Sequence, residues 1–324
     1  MPMIKAGVIG AGGMGAVHIK NLHEHEHVQL AAICDSNEAL AKAQAEQYGA
    51  AYYTDGSVMI EQEPLDVLYI CIPPFCHGDL EERAAAKGIH LMVEKPLGLD
   101  LEAVRSKAKA IADSGIIAAS GYCLRYLDTV AIAKDYLKDK KIGMVRAHYI
   151  TVPVPTPWWR KKELSGGQLV EQSTHTLDLV RYLCGDITNL YANMDLLLVK
   201  DIPDLDIPDV GVIQFVLESG ALGQMQTGFI QFDHRTGVEI MGRDFRLVLD
   251  GTTLSIVEKG KETIYHSNSN FYKNLTDALV EAIRQKDPSL VLASYEEGLK
   301  TLEATLAANE SAETGQVIQL SSNK

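Results

Sequence analysis

Two stretches of this chain carry residues whose types and spacing suit chemistry. The first is Gly10-Ala11-Gly12-Gly13-Met14-Gly15, a G-x-G-x-x-G run between an apolar stretch and a helical one. In such a run one glycine makes a tight turn, a second lets backbone approach a pyrophosphate, and a third lets helix pack on strand. The helix then faces the phosphates with its free amides and positive dipole end. Asp35 closes the next apolar run, where a carboxylate accepts hydrogen bonds from adenosine ribose hydroxyls. It would repel a 2′-phosphate, so the pattern favours NAD over NADP. The plain alternative is a glycine turn beside a solvated Asp35.

The second stretch is Glu94-Lys95-Pro96, directly after the apolar run Leu91–Val93. Ligands of an open α/β sheet sit at the carboxyl ends of its strands. A lysine there can donate to a substrate hydroxyl, and a neighbouring positive nicotinamide ring would lower its pKa. Pro96 restricts Lys95 to extended geometry. Taken alone, Lys95 reads equally well as a surface residue in a strand-to-helix turn.

Elements at the right places must hold these groups. Ile4–Ile9, Val28–Cys34, Val67–Ile72, Ile89–Val93 and Ile116–Ser120 are short apolar runs, and helical patterns at Asn37–Tyr48, Asp79–Lys87 and Leu101–Ser114 separate them. That alternation predicts a parallel sheet with helices on both faces. After Gly121 the rhythm changes to a helix near Leu124–Leu137, a strand near Val145–Val152 and a helix over Gly167–Leu183. From Asn189 to Ile256 the chain reads as consecutive strands, broken at Glu218-Ser219-Gly220 and Asp250-Gly251, which predicts an antiparallel sheet. Helices over Phe271–Arg284 and Tyr295–Ala308 close the chain.

Together the two stretches and the segment Cys71-Ile72-Pro73-Pro74-Phe75-Cys76-His77 resemble the glucose–fructose oxidoreductase / inositol dehydrogenase (Gfo/Idh/MocA) family. The resemblance runs essentially end to end, through Glu297-Gly298-Leu299 and Ala308-Asn309-Glu310-Ser311. It implies an α/β fold: an N-terminal NAD-binding Rossmann domain, placed here at 1–122, and a C-terminal α+β domain with a large, mostly antiparallel sheet at 123–324. The second domain would bind substrate and form the oligomer, a homodimer or homotetramer. By resemblance Pro73, Pro74, His77 and Glu94 line the cofactor cleft, and the Lys95–Pro96 bond is expected to be cis. For His77 a helix-start role touching only backbone stays open.

The family's other signature, a glycine cluster followed by an acid and a histidine, reads here Ser165-Gly166-Gly167-Gln168-Leu169-Val170-Glu171-Gln172-Ser173-Thr174-His175. Glu171 and His175 are i and i+4 on the expected helix and so share a face. A histidine one turn from a carboxylate suits proton transfer near neutral pH. Ser165 stands where the pattern has a glycine and Glu171 where it more often has aspartate, which leaves the placement of Glu171 open. Asp178 is a candidate to orient His175 or simply to support the helix. Arg125 and Tyr126 match a segment bordering the family's active site, and Trp158 offers a face to stack on a sugar ring. A loop anchored by buried tryptophans is the alternative for Trp158.

The expected activity is hydride transfer between nicotinamide and a secondary hydroxyl or keto group of a polyol, inositol or sugar-like substrate. Lys95 and His175 handle the proton, and Glu171 binds a neighbouring hydroxyl. The rivals are a nucleotide-sugar reductase or epimerising enzyme, a transient oxidation–reduction of glycosides, and a non-catalytic NAD(H)-binding sensor.

The 324 residues suffice for two domains. A formal charge of −13 disfavours nucleic acid and anionic membrane as partners. No stretch has the apolar length of a membrane span, so a cytoplasmic, soluble protein is expected. Five cysteines without CxxC spacing argue against zinc and disulfides. His23-Glu24-His25-Glu26-His27 places alternate residues that cannot converge on a helix, so no metal site is expected. Asp201, Asp204, Asp206 and Asp209 are read as a solvated loop whose spacing does not match a calcium-binding hand.

Overall fold

The apolar runs of the first third become a parallel sheet in the computed structural model, which describes residues 3–320. Strands β1 (Ile4–Ile9), β2 (Val28–Cys34), β3 (Ala51–Tyr53), β4 (Val67–Ile70), β5 (His90–Val93) and β6 (Ala118–Ser120) lie in the order β3-β2-β1-β4-β5-β6. Every neighbouring pair is parallel. The order reverses between β1 and β4, the switch point where a doubly wound sheet opens to a dinucleotide. Val67–Ile70 are buried throughout; helices on both faces explain why these strands read as continuous apolar runs.

The connecting helices are α1 (Gly13–His23), α2 (Glu38–Tyr48), α3 (Gly56–Gln62), α4 (Leu80–Ala86) and α5 (Leu101–Ser114). Side-chain oxygens start three of them. Asn37 accepts from the Leu40 amide at 3.3 Å, Asp55 from Ser57 at 2.8 Å and Asp100 from Glu102 at 2.9 Å, each cap contributing about 1 kcal/mol. Neither β3 nor α3 stands out in the sequence, because three and seven residues are too few to show a period.

The second sheet belongs to a segment with α6 (Asp128–Leu137), β7 (Ile142–Ile150), α7 (Lys162–Ser165) and α8 (Thr174–Cys184). It continues through β8 (Ile187–Asp195), β9 (Val210–Leu217), β10 (Leu222–Gly228), β11 (Arg235–Gly242), β12 (Phe245–Asp250), β13 (Thr253–Glu258) and β14 (Lys261–His266). With β15 (Ile318–Gln319) these strands form one sheet in the order β14-β13-β12-β11-β7-β10-β9-β8-β15. Only the central pair β7–β10 is parallel. The expected breaks are tight hairpins, with Gly220 at φ +83° and Gly251 at φ +55°.

Two helices follow, α9 (Phe271–Gln285) and α10 (Tyr295–Thr314). The chain divides into one unit up to Tyr126 with Asn270–Leu299, and another of Leu127–Ser269 with the chain from Lys300. The return of α9 differs from the linear division at 122/123. Leu275, Leu279, Val280 and Ala282 join Ile4, Val8, Ile19, Leu22 and Tyr122 in the core of the first unit. An amphipathic pattern shows that a helix has an apolar face but not which core receives it. Among the described residues no helix is long and apolar enough to cross a membrane.

Candidate active site

In the first unit the glycine run sits at the end of β1. Gly10 has φ +93°, and a Cβ there would lie 2.3 Å from the Cys71 carbonyl oxygen. A Cβ on Gly15 would lie 1.8 Å from the Gly10 carbonyl oxygen, so only glycine lets α1 close on the turn. Gly12 and Gly13 differ: a Cβ on either meets nothing within 4 Å. Gly12 caps α1 and no side chain accepts from its first amides. That open, amide-lined space fits a dinucleotide pyrophosphate.

Asp35 follows β2. Its Oδ2 accepts from the Ala11 amide and its Oδ1 from the Asn37 amide, both at 2.9 Å. The carboxylate is thereby fixed beside the glycine turn, and each oxygen keeps acceptor capacity for a ribose hydroxyl.

Behind the turn, Pro74 is buried and opens a short 3₁₀ turn, Pro74–Cys76, while Pro73 is half-buried. His77 is turned inward rather than toward open space. Its Nδ1 lies 2.9 Å from Glu81 Oε1 and its Nε2 lies 3.2 Å from the Ile72 carbonyl. Lys107 Nζ donates to Glu81 Oε2 at 2.9 Å. Burial by itself would raise the Glu81 carboxyl, but the hydrogen bond and charge of His77 and the charge of Lys107 outweigh it and hold the group below the usual range. Both ring nitrogens of His77 thus meet protein groups, one of them the backbone carbonyl of Ile72.

Glu94, expected at the cofactor cleft, is likewise held by protein partners. At 8% exposure its Oε1 lies 2.9 Å from His18 Nε2, and its Oε2 accepts from the Lys95 amide at 3.2 Å. A Cβ on Gly121 would intrude to 2.4 Å from that Oε2, so the glycine leaves room for the carboxylate. Lys95 is half-buried and its bond to Pro96 is cis. His18, buried in the middle of α1, went unnoticed in the sequence; its position after the glycine run is the one available signal.

Arg125, expected to border the substrate, is held inside the first unit. It is 2% exposed, and its guanidinium donates to the Leu292 carbonyl at 2.7 Å and to Glu297 Oε2 at 3.3 Å. A buried guanidinium must be paired, and here it cross-links the first unit.

In the second unit, Gly166 (φ +72°) and Gly167 (φ +91°) turn the chain into a π-helical turn at Leu169–Ser173 that runs on into α8. A π turn closes its hydrogen bonds from i to i+5 and often marks a functional site. Glu171 lies in this turn and His175 in the first turn of α8, so their four-residue step falls short of the full α turn expected. Buried polar contacts pin the turn: Ser173 Oγ donates to Gln168 Oε1 at 2.8 Å and lies 2.6 Å from Thr227 Oγ1. Glu171 is buried and His175 half-buried. Tyr149, on β7, was not singled out in the sequence. Burial, followed by the Glu171 charge, pushes its phenol up to about 12, so it stays a hydroxyl at neutral pH. The His234 ring meets it edge-on at 5.0 Å.

Asp178 is buried and accepts from Thr301 Oγ1 at 2.8 Å. Trp158 is half-buried in a 3₁₀ turn, edge-to-face with Trp159 at 5.6 Å. The acidic loop is not simply solvated. Asp206 accepts from the Lys162 amide at 2.6 Å. Asp209, 0% exposed, accepts from the amides of Leu197, Leu198 and Val199 at 2.7–2.9 Å. Burial would raise its carboxyl, but the three amides hold it below the usual range.

Comparison with known proteins agrees with this architecture. The model of an oxidoreductase family with an NAD-binding Rossmann fold, GFO_IDH_MocA, matches residues 4–122, and that of the GFO/IDH/MocA C-terminal domain matches residues 130–256. The chain is 25% identical to a myo-inositol 2-dehydrogenase of Thermotoga maritima over 98% of each chain. It is 31% identical to an inositol 2-dehydrogenase of Rhizobium meliloti over 65% of this chain and 64% of that one. The crystal structure of GenD2 from gentamicin A biosynthesis, in complex with NAD, has the same fold: TM-score 0.86 at 22% identity, covering 99% of this chain and 97% of that one.

Proposed function

The chain belongs to the GFO/IDH/MocA family of NAD-binding oxidoreductases, and we propose that it oxidises a secondary hydroxyl of an inositol, another polyol or a sugar-like substrate. The observation that carries this reading is the dinucleotide turn: open space over Gly12 and Gly13, with Asp35 fixed beside it by two amides. The amides of the Gly12–Gly15 turn would hold the pyrophosphate and Asp35 the adenosine ribose of NAD. Likeness to inositol dehydrogenases supports the substrate class.

Bound NAD supplies the hydride acceptor. In this reading His175 takes the proton of the reacting hydroxyl. Lys95 donates to the same oxygen and stabilises the charge that develops on it. Glu171 accepts from a neighbouring hydroxyl and so selects a substrate with vicinal hydroxyls, and Trp158 stacks on its ring. Reduction of the matching ketone uses the same groups.

We further propose a cytoplasmic homodimer or homotetramer joined through the second sheet. Its open face exposes Met144, Val212 and Leu222 next to the Arg146–Glu239 ion pair.

The test is NADH formation across a panel of inositols, sugars and sugar acids, with His175→Ala beside the parent. Turnover of one polyol, lowered at least about a hundredfold in the variant, is expected for loss of a general base. Turnover that survives the substitution removes His175 from the mechanism. No turnover with any member, despite tight NADH binding, overturns the polyol reading in favour of a nucleotide sugar or a sensor.

A further inference from the structure

Behind the dinucleotide turn lies a buried ionic chain that runs from α5 to the Ile72 carbonyl, just after β4. Lys107 Nζ donates to Glu81 Oε2 and Glu81 Oε1 meets His77 Nδ1, each at 2.9 Å, while His77 Nε2 reaches the Ile72 carbonyl at 3.2 Å. All three side chains are less than a tenth exposed. Gly10 is pressed against the Cys71 backbone and the Ile72 side chain. A Cβ on Gly10 would strike the Cys71 carbonyl oxygen at 2.3 Å and Ile72 Cγ2 at 2.9 Å, and the Cys71 amide donates to the Ile9 carbonyl at 2.7 Å. The chain of contacts therefore ends on the wall of the first glycine of the fingerprint.

Three apolar side chains of the same volume would fill this space without the cost of desolvating charges. What the ionic chain adds is direction. Lys107 fixes one oxygen of Glu81, the other oxygen fixes the imidazole, and the carbonyl of Ile72 can only accept, so Nε2 must donate to it. We propose that His77 is a positioning residue, which acts through the Ile72 carbonyl to brace the wall of the dinucleotide turn and thereby sets the affinity for NAD(H). The inference rests on NAD(H) binding by this unit and is independent of which substrate is oxidised.

The test is NADH affinity, followed by fluorescence titration, for the parent, His77→Phe, His77→Gln and Lys107→Met. Phenylalanine fills the space but cannot donate, so its Kd should rise about tenfold, the scale of one lost buried hydrogen bond. In turnover assays KM for NAD should rise alongside it, with a fall in kcat of less than about threefold. Glutamine places an N–H where Nε2 stands and should restore Kd to within about threefold of the parent. Lys107→Met leaves His77 in place but frees Glu81, and should raise Kd by a smaller factor than His77→Phe. If both His77 variants bind NADH like the parent, or if glutamine is as weak as phenylalanine, the proposal is overturned. Should His77→Phe fail to fold, Lys107→Met decides: an unchanged Kd overturns the bracing role. Failure of the polyol reading would look different, as absent turnover with these affinities intact.

Discussion

Replacing His18 by leucine should damage the Lys95 loop from a distance. His18 is fully buried, packs 5.3 Å from the Tyr69 ring, and meets Glu94 Oε1 at 2.9 Å. Leucine keeps much of the volume but removes the partner of a carboxylate that is itself 8% exposed. Loss of a hydrogen bond to a buried charged group costs about 2–3 kcal/mol. At about 2–4 °C per kcal/mol for a unit of this size, the Tm should fall by about 5–10 °C. The catalytic effect is separate. Glu94 Oε2 accepts from the Lys95 amide, so a carboxylate that reorients toward water takes the Lys95 backbone with it, and displacement of a reacting group by about 1 Å can lower kcat about a hundredfold. Adding Glu94→Leu to His18→Leu removes the buried carboxylate that has lost its imidazole contact. The double variant should regain at least about 1 kcal/mol of stability, yet stay slow because the Lys95 amide loses the Glu94 acceptor altogether. Thermal melts and kcat for the two single variants and the double would show this split. A His18→Leu protein with parental Tm and kcat would refute the reasoning, and so would a double variant no more stable than the single.

Two further expectations follow from the cited carboxylates. Asp35→Ser should raise the NADP-to-NAD ratio of kcat/KM by about 10- to 100-fold, since a unit charge about 4 Å away at an effective dielectric of 20 is worth about 4 kcal/mol before screening; a ratio unmoved from the parent's would show that Asp35 does not face the 2′ position. Asp209 has a folded-state carboxyl held below its usual range, so its contribution is present at neutral pH and is lost as pH falls through the lowered folded value. Asp209→Asn should cost about 1–3 kcal/mol at pH 7, with a gap to the parent in urea melts that narrows toward pH 3; a gap independent of pH would mean that the charge contributes nothing.

Local chemistry decided what the sequence could determine. Gly10, Gly12, Gly13, Met14 and Gly15 before a helix, Asp35 closing a strand, and the apolar runs of a sheet covered on both faces each depend on neighbours a few residues away. For the same reason the parallel first sheet, the hairpins at Gly220 and Gly251 and the family were legible before any coordinates, while the strand orders were not. Direction of side chains and return of the chain were not. Arg125 and His77 matched motif positions, yet their heads turn inward, because partners contributed by distant segments, Glu297 and Leu292 for one, Glu81 and Lys107 for the other, compensate their burial. Asp209 looked like one of four loop acids until folding converged three amides on it. Helix α9 announced an apolar face but not that the first core would receive it, and Glu171 announced an α-helical step to His175 that the π turn, pinned by Ser173 and Thr227, altered. A sequence states which groups each residue offers; only tertiary packing decides which buried donor meets which acceptor, since that choice is made by residues far apart in the chain and close in space.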